Sequence, residues 1–240
     1  MKKEVLDFNK INHLLISTKN YSIFNYDGDL LKYYNQALSF NLEKEKIKRL
    51  ELISEYPGLQ QFTNLKKLIY NRDGSLAGYS YGNANDTFLE NYIYSSKSKK
   101  IEILRDIREI IDLFNSEDIY FGNFDDVNSF SISNNGITLN NADDYKIGEN
   151  DFLNKQDYVT TFERCFIDNK NVDVYGLNLF TIMFYQRYCD LLSAKTSLRN
   201  EGLPYRLNTT ENKELVKKTL VLNNGYEREY FIDNVKKGLF

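Results

Sequence analysis

The sequence predicts an α+β protein in two parts: a strand-rich first part with one helix over residues 1–82, and a mainly helical second part over 83–240. Three observations predict it. Short segments with alternating or continuous apolar character recur through the first eighty residues, separated by turn residues. The polar run Gly82-Asn83-Ala84-Asn85-Asp86 then marks a change of composition. Beyond it, Ile101, Leu104, Ile107, Ile110, Ile111 and Phe114 keep one apolar face at helical spacing.

The elements follow in order. His13–Ser17 reads as a strand, and Tyr21–Tyr26 alternates polar and apolar residues. Asp27-Gly28-Asp29 supplies a turn into a third strand, Leu30–Tyr34. Leu42 to Ile53 carries apolar residues at 42, 47, 50 and 53 and reads as a helix that Pro57-Gly58 stops. Leu65–Tyr70 and Leu76–Tyr81 form a hairpin across Asn71-Arg72-Asp73-Gly74-Ser75. Helices are expected near 87–94 and 98–114, then a loop from Ile119 to Asn128. Phe130-Ser131-Ile132 and Ile137-Thr138-Leu139 pair across Asn134-Asn135-Gly136. A hydrophobic helix runs from Val172 to Tyr188, and charged helices are expected near 211–220 and 227–236.

Composition narrows function. The 240 residues are 42% hydrophobic and 15% aromatic, which suits a packed core rather than a disordered chain. The net charge of −3, with no basic block, argues against a nucleic-acid partner. One histidine, His13, with the separated Cys165 and Cys189, cannot supply a Cys/His zinc site or a convincing catalytic triad. Sparse cysteine, an opening MKKEVLDFNK without a signal-like apolar core, and no membrane-length apolar run point to a cytoplasmic protein. Asparagine recurs 29 times, and an Asn/Lys/Ile-rich composition suits AT-rich coding, as in a low-GC bacterium or its phage.

Three segments carry the functional argument: Tyr120-Phe121-Gly122-Asn123-Phe124-Asp125-Asp126-Val127-Asn128, Ile137-Thr138-Leu139-Asn140-Asn141-Ala142-Asp143, and Asn171-Val172-Asp173-Val174-Tyr175-Gly176-Leu177. Their order resembles the second lobe of the protein kinase-like fold. In that family a catalytic loop, a hairpin, a metal-binding Asp and a buried helix opening on Asp follow one another. Asn128 follows Asn123 by five positions, and Asn141 follows Asn128 by thirteen, the family's spacings. Lys32 resembles the strand lysine that contacts nucleotide phosphates. Glu45, with Glu43 and Glu51 as competitors, would supply its helix partner. Leu76-Ala77-Gly78-Tyr79 resembles the strand that leads into the hinge.

The resemblance implies a two-lobed kinase-like fold, with a small antiparallel-sheet lobe over 1–82 and a larger helical lobe over 83–240. It also implies a nucleotide site at Lys32, Glu45, Asn128 and Asn141. The departures change what that site could do. Phe121 replaces the loop histidine, Asn123 stands at the catalytic aspartate position, and Asn141 stands at the metal-binding one. An amide cannot take up a proton near neutral pH, and it brings no charge to Mg²⁺. The turn Thr18-Lys19-Asn20 has no glycine with which to approach phosphates.

The expectation is therefore a pseudokinase with another protein as partner. It would bind ATP without strong Mg²⁺ dependence or bind no cofactor, and it would have no metal site. Two alternatives stay open: a phosphotransferase using Asp125, Asp126, Asp143 or Asp144 as displaced carboxylates, and a structural scaffold. For single residues the alternatives are equally plain. Lys32 could be a solvated edge lysine, Asn128 a loop brace, and the four aspartates solvated turn acids. Asp173 is expected to accept backbone N–H groups of the loop, as its counterpart does in the family.

Overall fold

A computed structural model describes residues 1–122, 124, 127–147, 169–186 and 232. The strands are β1 (Lys2–Val5), β2 (Ile11–Ser17), β3 (Tyr21–Tyr26), β4 (Asp29–Tyr34), β5 (Leu65–Tyr70), β6 (Leu76–Tyr81), β7 (Thr87–Phe88), β8 (Ile119–Tyr120), β9 (Phe130–Ser133), β10 (Gly136–Leu139) and β11 (Lys146–Ile147). The helices are α1 (Phe40–Glu55), α2 (Pro57–Thr63), α3 (Lys97–Ser116) and α4 (Asn169–Gln186). The protein is α+β with a mixed sheet. It divides into two compact units, Met1–Thr87 with Phe130–Asp144, and Phe88–Ser129 with Tyr145–Phe240. The 130–144 hairpin thus belongs with the strand-rich unit. The expected helices near 211–220 and 227–236 lie outside the described residues, residue 232 apart.

The first unit is built on a six-stranded sheet in the order β1-β5-β6-β4-β3-β2. The expected antiparallel sheet needs one correction: β1 runs parallel to β5, pairing Lys2 with Lys67 and Val5 with Tyr70. About sixty residues separate the two strands, enough chain for the crossover that a parallel pair requires. The strand is tied down by Glu4, which accepts from Lys10 Nζ at 2.7 Å, Lys67 Nζ at 2.7 Å and Tyr26 Oη at 3.0 Å. The hairpins β3–β4 and β5–β6 fall where the alternation places them.

Across the sheet, Ile23, Lys32, Tyr79 and Leu68 are successive register partners on one face. Leu6, Tyr26, Leu31, Ile69 and Ala77 form a separate apolar core. Gly78 pairs with Tyr33 of β4 so closely that a Cβ there would collide with the Lys32 carbonyl oxygen. A second correction concerns helices. Pro57 does not simply end α1; it opens α2, whose first turn suits proline because that N–H needs no helical partner. The unit therefore holds two helices, not one.

Helix α1 starts at Ser39, whose Oγ accepts the Leu42 N–H at 3.4 Å. Its buried residues are Lys46, Arg49, Leu50 and Ile53. Positions 50 and 53 follow the apolar periodicity, but the rest of the buried face is cationic.

The second unit centres on α3 and α4. Ser96 caps α3, and its buried face includes Ile103, Leu104, Ile107, Ile110, Ile111 and Phe114, as the periodicity predicts. Helix α4 is buried at every described side chain from Val172 to Phe184, so it fills the unit's core. Phe121 packs edge-on to Phe124 with centroids 4.8 Å apart, and lies 4.9 Å from Tyr145. The expected helix near 87–94 is instead β7 followed by a 3-10 turn, Leu89–Tyr92. Leu89 is that turn's only fully buried residue, too little apolar surface to hold a longer helix. The expected loop from Ile119 contains a short strand, β8, paired antiparallel with β11.

Candidate functional site

Within the first unit, three elements bring a charged group inward. Strand β4 carries Lys32 and Tyr34, α1 carries Lys46, and the turn after β10 carries Asn141, Asp143 and Asp144. Strand β10 ends at Leu139, so Asn140 and Asn141 lie beyond it. The 3-10 turn Ala142–Asp144 is closed by the Asp144 N–H donating to the Asn141 carbonyl at 3.0 Å, and it packs on α1. Asp143 is fully buried and Asp144 is 7% exposed, so neither is a solvated turn acid. Lys32 is 1% exposed and is no edge lysine, because β4 lies between β6 and β3.

Lys32 Nζ donates to Asp143 Oδ1 at 2.7 Å and to Asn141 Oδ1 at 2.8 Å, and lies 3.6 Å from Asp144 Oδ2. The Tyr21 ring covers the same ammonium, its centroid 4.4 Å away, a cation–π contact. Lys46 Nζ bridges Asp143 Oδ2 at 2.5 Å and Asp144 Oδ1 at 2.7 Å. Tyr34 Oη donates to Asp143 Oδ2 at 2.9 Å. Tyr79 Oη lies 2.8 Å from Asp143 Oδ1 and 2.9 Å from the Asn140 carbonyl, its one proton shared between them. Two ammonium groups thus face two carboxylates, and the two oxygens of Asp143 are met by two ammonium and two phenol groups. A carboxylate has about four acceptor directions, so its capacity is filled.

The electrostatics follow from burial and pairing. Burial alone would push Asp143 toward its neutral form, but the charges of Lys32 and Lys46 outweigh it and hold the carboxyl well below its ordinary range. Burial likewise opposes charge on both lysines, and the two aspartates overcome it, raising both ammonium pKa values. Burial and the Asp143 charge keep the Tyr34 and Tyr79 hydroxyls protonated far above their usual range. Burial lowers the Arg49 pKa, partly offset by Glu45, Asp144 and Asp143.

Of the residues expected to bind nucleotide, the structure brings Lys32 and Asn141 together. Glu45 is corrected: its side chain is 46% exposed and lies 4.0 Å from Arg49, and Lys32 takes Asp143 and Asp144 as its carboxylate partners. Lys46, one position further, turns inward where Glu45 turns out, because an acid beside Asp143 would place like charges together in a buried site. Asn128 belongs to the second unit, where its amide donates to Glu90 Oε2 at 3.1 Å. Asn123, Asp125 and Asp126 lie outside the described residues. In the second unit Asp173 accepts the Phe121 N–H at 2.8 Å and the Gly122 N–H at 2.6 Å. Burial pushes its carboxyl up to about 7 despite those two donors.

Sequence reasoning missed Lys46 and Tyr34. The available signal was a lysine among the helical positions that otherwise read as buried. A Mg²⁺–nucleotide group, which the resemblance implies, does not fit this arrangement. Mg²⁺ needs open carboxylate oxygens, and those of Asp143 are taken. Phosphates need the donors of Lys32, which face Asp143 and Asn141. Among the described residues no group of three or more His, Cys, Asp or Glu side chains could hold a metal ion.

No family model matches the chain, and no curated protein matches it.

Proposed function

We propose that the chain is a non-catalytic, kinase-like regulatory module that acts by binding another protein in the cytoplasm. The observation that carries this reading is the closed Lys32–Asp143–Lys46–Asp144 cluster. The lysine and carboxylate that phosphoryl transfer would need are spent on each other. The strand order from β2 through β5, with α1 and the short α2 between β4 and β5, supports the kinase-like part of the proposal. Asn123 and Asn141 support the loss of turnover, since neither can replace a carboxylate. Among the described residues no helix is long and apolar enough to cross a membrane.

A second reading, a phosphotransferase with displaced carboxylates, is favoured by one observation: Asp143 stands against Lys32, where a metal-binding acid would be useful. Thermal unfolding with ATP, alone and with Mg²⁺ or Mn²⁺, separates the two. A ligand that binds the native state must raise its stability by mass action. The non-catalytic reading expects no metal-dependent shift. A metal-dependent shift accompanied by ATP turnover that Lys32→Ala abolishes would replace it with the second reading.

A further inference from the structure

We infer that the outer edge of β2 is a self-association surface, where β2 of a second copy pairs antiparallel about a two-fold axis and joins two six-stranded sheets into one. The inference goes beyond the non-catalytic reading and does not rest on it.

The two edges of the sheet differ in kind. Strand β1 forms one edge with four residues, of which Lys2, Lys3 and Glu4 carry charge, a common protection of an exposed edge. Strand β2 forms the other with seven residues, Ile-Asn-His-Leu-Leu-Ile-Ser, which include no lysine, arginine, acid or proline. Among the described residues β2 pairs with β3 alone, so its second edge presents backbone N–H and C=O groups with no strand to meet them. A strand flanking a core should bury every second side chain. Here Asn12, His13, Leu14 and Leu15 are all exposed, Leu14 at 56% and Leu15 at 40%. Register irregularities between Ile11 and His13 and between Leu14 and Ile16 break the alternation.

The apolar surface continues inward from this edge. Leu14 is the register partner of Phe24, and Phe24 of Leu31. Leu31 is buried in the small core that includes Leu6, Tyr26 and Ile69, and Phe24 packs against that core while only partly buried. Leu14 is the uncovered rim of this packing.

A second copy is the occupant that these features fit. An antiparallel pair centred on Leu14 sets Leu14 against Leu14, His13 against Leu15, and Asn12 against Ile16 of the other chain, so no charge opposes another along either strand. The exposed leucines then cover one another. Bulged strands twist more strongly, and a copy brings the same twist to the opposing position. The contact uses β2 of both chains, and the charged β1 edges left at the two ends resist further growth, so association closes at a dimer. One strand pair is a small interface, which places the dimer in the weak, concentration-dependent class.

The test is sedimentation velocity of the full chain from about 1 μM to about 300 μM, a range that brackets a micromolar Kd. A reductant keeps Cys165 and Cys189 from cross-linking chains. Wild type should show a monomer–dimer equilibrium with no larger species. Amide hydrogen exchange in β2 should slow at the higher concentration, while exchange in β1 stays the same. Leu14→Lys should weaken association about tenfold or more, because two apolar contacts are lost and two ammonium groups face each other. Phe40→Lys, which replaces a 70% exposed side chain of α1 in the same unit, should leave association unchanged. If Leu14→Lys does not fold by circular dichroism, His13→Lys takes its place, since that side chain is exposed and it should weaken the dimer in the same direction. A monomer throughout the range overturns the inference, as does a dimer whose β2 exchange is independent of concentration. Association that the folded lysine variant of β2 leaves intact, or that Phe40→Lys weakens equally, overturns it too. Open-ended oligomers overturn the closed two-fold pair.

Discussion

Lys32 and Asp143 stand 111 residues apart in the chain, yet the ammonium of one lies 2.7 Å from a carboxylate oxygen of the other, both inaccessible to water. Each ion alone would be expensive to bury, so each makes the other tolerable. Asp143→Ala should cost about 3–5 kcal/mol in urea unfolding, because it leaves two buried ammonium groups with only the Asp144 carboxylate between them. The double variant Lys32→Met with Asp143→Leu should lose clearly less than the sum of the two single changes. Additive losses would show that the two side chains do not act as a pair.

Gly78 is constrained by the same strand pairing. A Cβ on it would collide with the Lys32 carbonyl oxygen and lie 2.9 Å from the carbonyl carbon, both backbone atoms. Gly78→Ala should therefore force β4 and β6 apart and destabilise by about 3 kcal/mol or more. Gly58, in α2, has open space where a methyl group would sit, with nothing within 4 Å, so Gly58→Ala should be neutral or stabilise by about 0.5 kcal/mol. Chemical denaturation of both variants makes the comparison.

Asp173 sets a pH dependence of known sign. Its folded pKa, about 7, is raised above the ordinary 3.8, so the folded protein holds the proton more tightly than the unfolded chain. The favourable contribution is present below the unfolded value and is lost as pH rises from 3.8 through about 7. Asp173→Asn removes that slope but leaves one acceptor oxygen for two N–H donors, a loss of about 1–3 kcal/mol at pH 5. The gap between wild type and Asp173→Asn should narrow as pH rises toward 7. A gap that widens would contradict the assignment.

Glu4 acts in the opposite direction. Hydrogen bonds from Lys10 and Lys67 lower its pKa from 4.5 to about 2. Its contribution is present above 4.5 and is lost as pH falls toward 2. The carboxylate and both lysines retain contact with water, so solvent screens the pairs and the effect should be small. In Glu4→Gln the acid limb of the stability curve should be flatter than in wild type over that window, and hydrogen exchange in β1 should quicken. An unchanged exchange rate would show that β1 is held by its backbone ladder alone.

Local pattern made much of the first unit legible. The hairpin Leu65–Tyr81 was readable because strand alternation and a turn rich in Asn, Asp and Gly act within a few residues. The apolar face of α3 was readable for the same reason, since each apolar position from Ile103 to Phe114 declares its own environment. Strand β1 was not, because Lys2, Lys3 and Glu4 look like a solvated terminus until β5 and Tyr26 supply their partners. Helix α2 was hidden by a proline that can either end one helix or begin the next.

The site divides along the same line. Sequence alone singled out Lys32 and Asn141, together with Asn123, which lies outside the described residues, because residue type and spacing are local properties. Only the tertiary structure decided that Lys32 answers to Asp143 rather than Glu45, and that Lys46 enters the core instead of facing water. A buried charge is acceptable only beside a compensating charge. Here the compensating carboxylates lie 97 and 98 residues beyond Lys46, and Asp143 lies 111 beyond Lys32, where no helical or strand period can point to them.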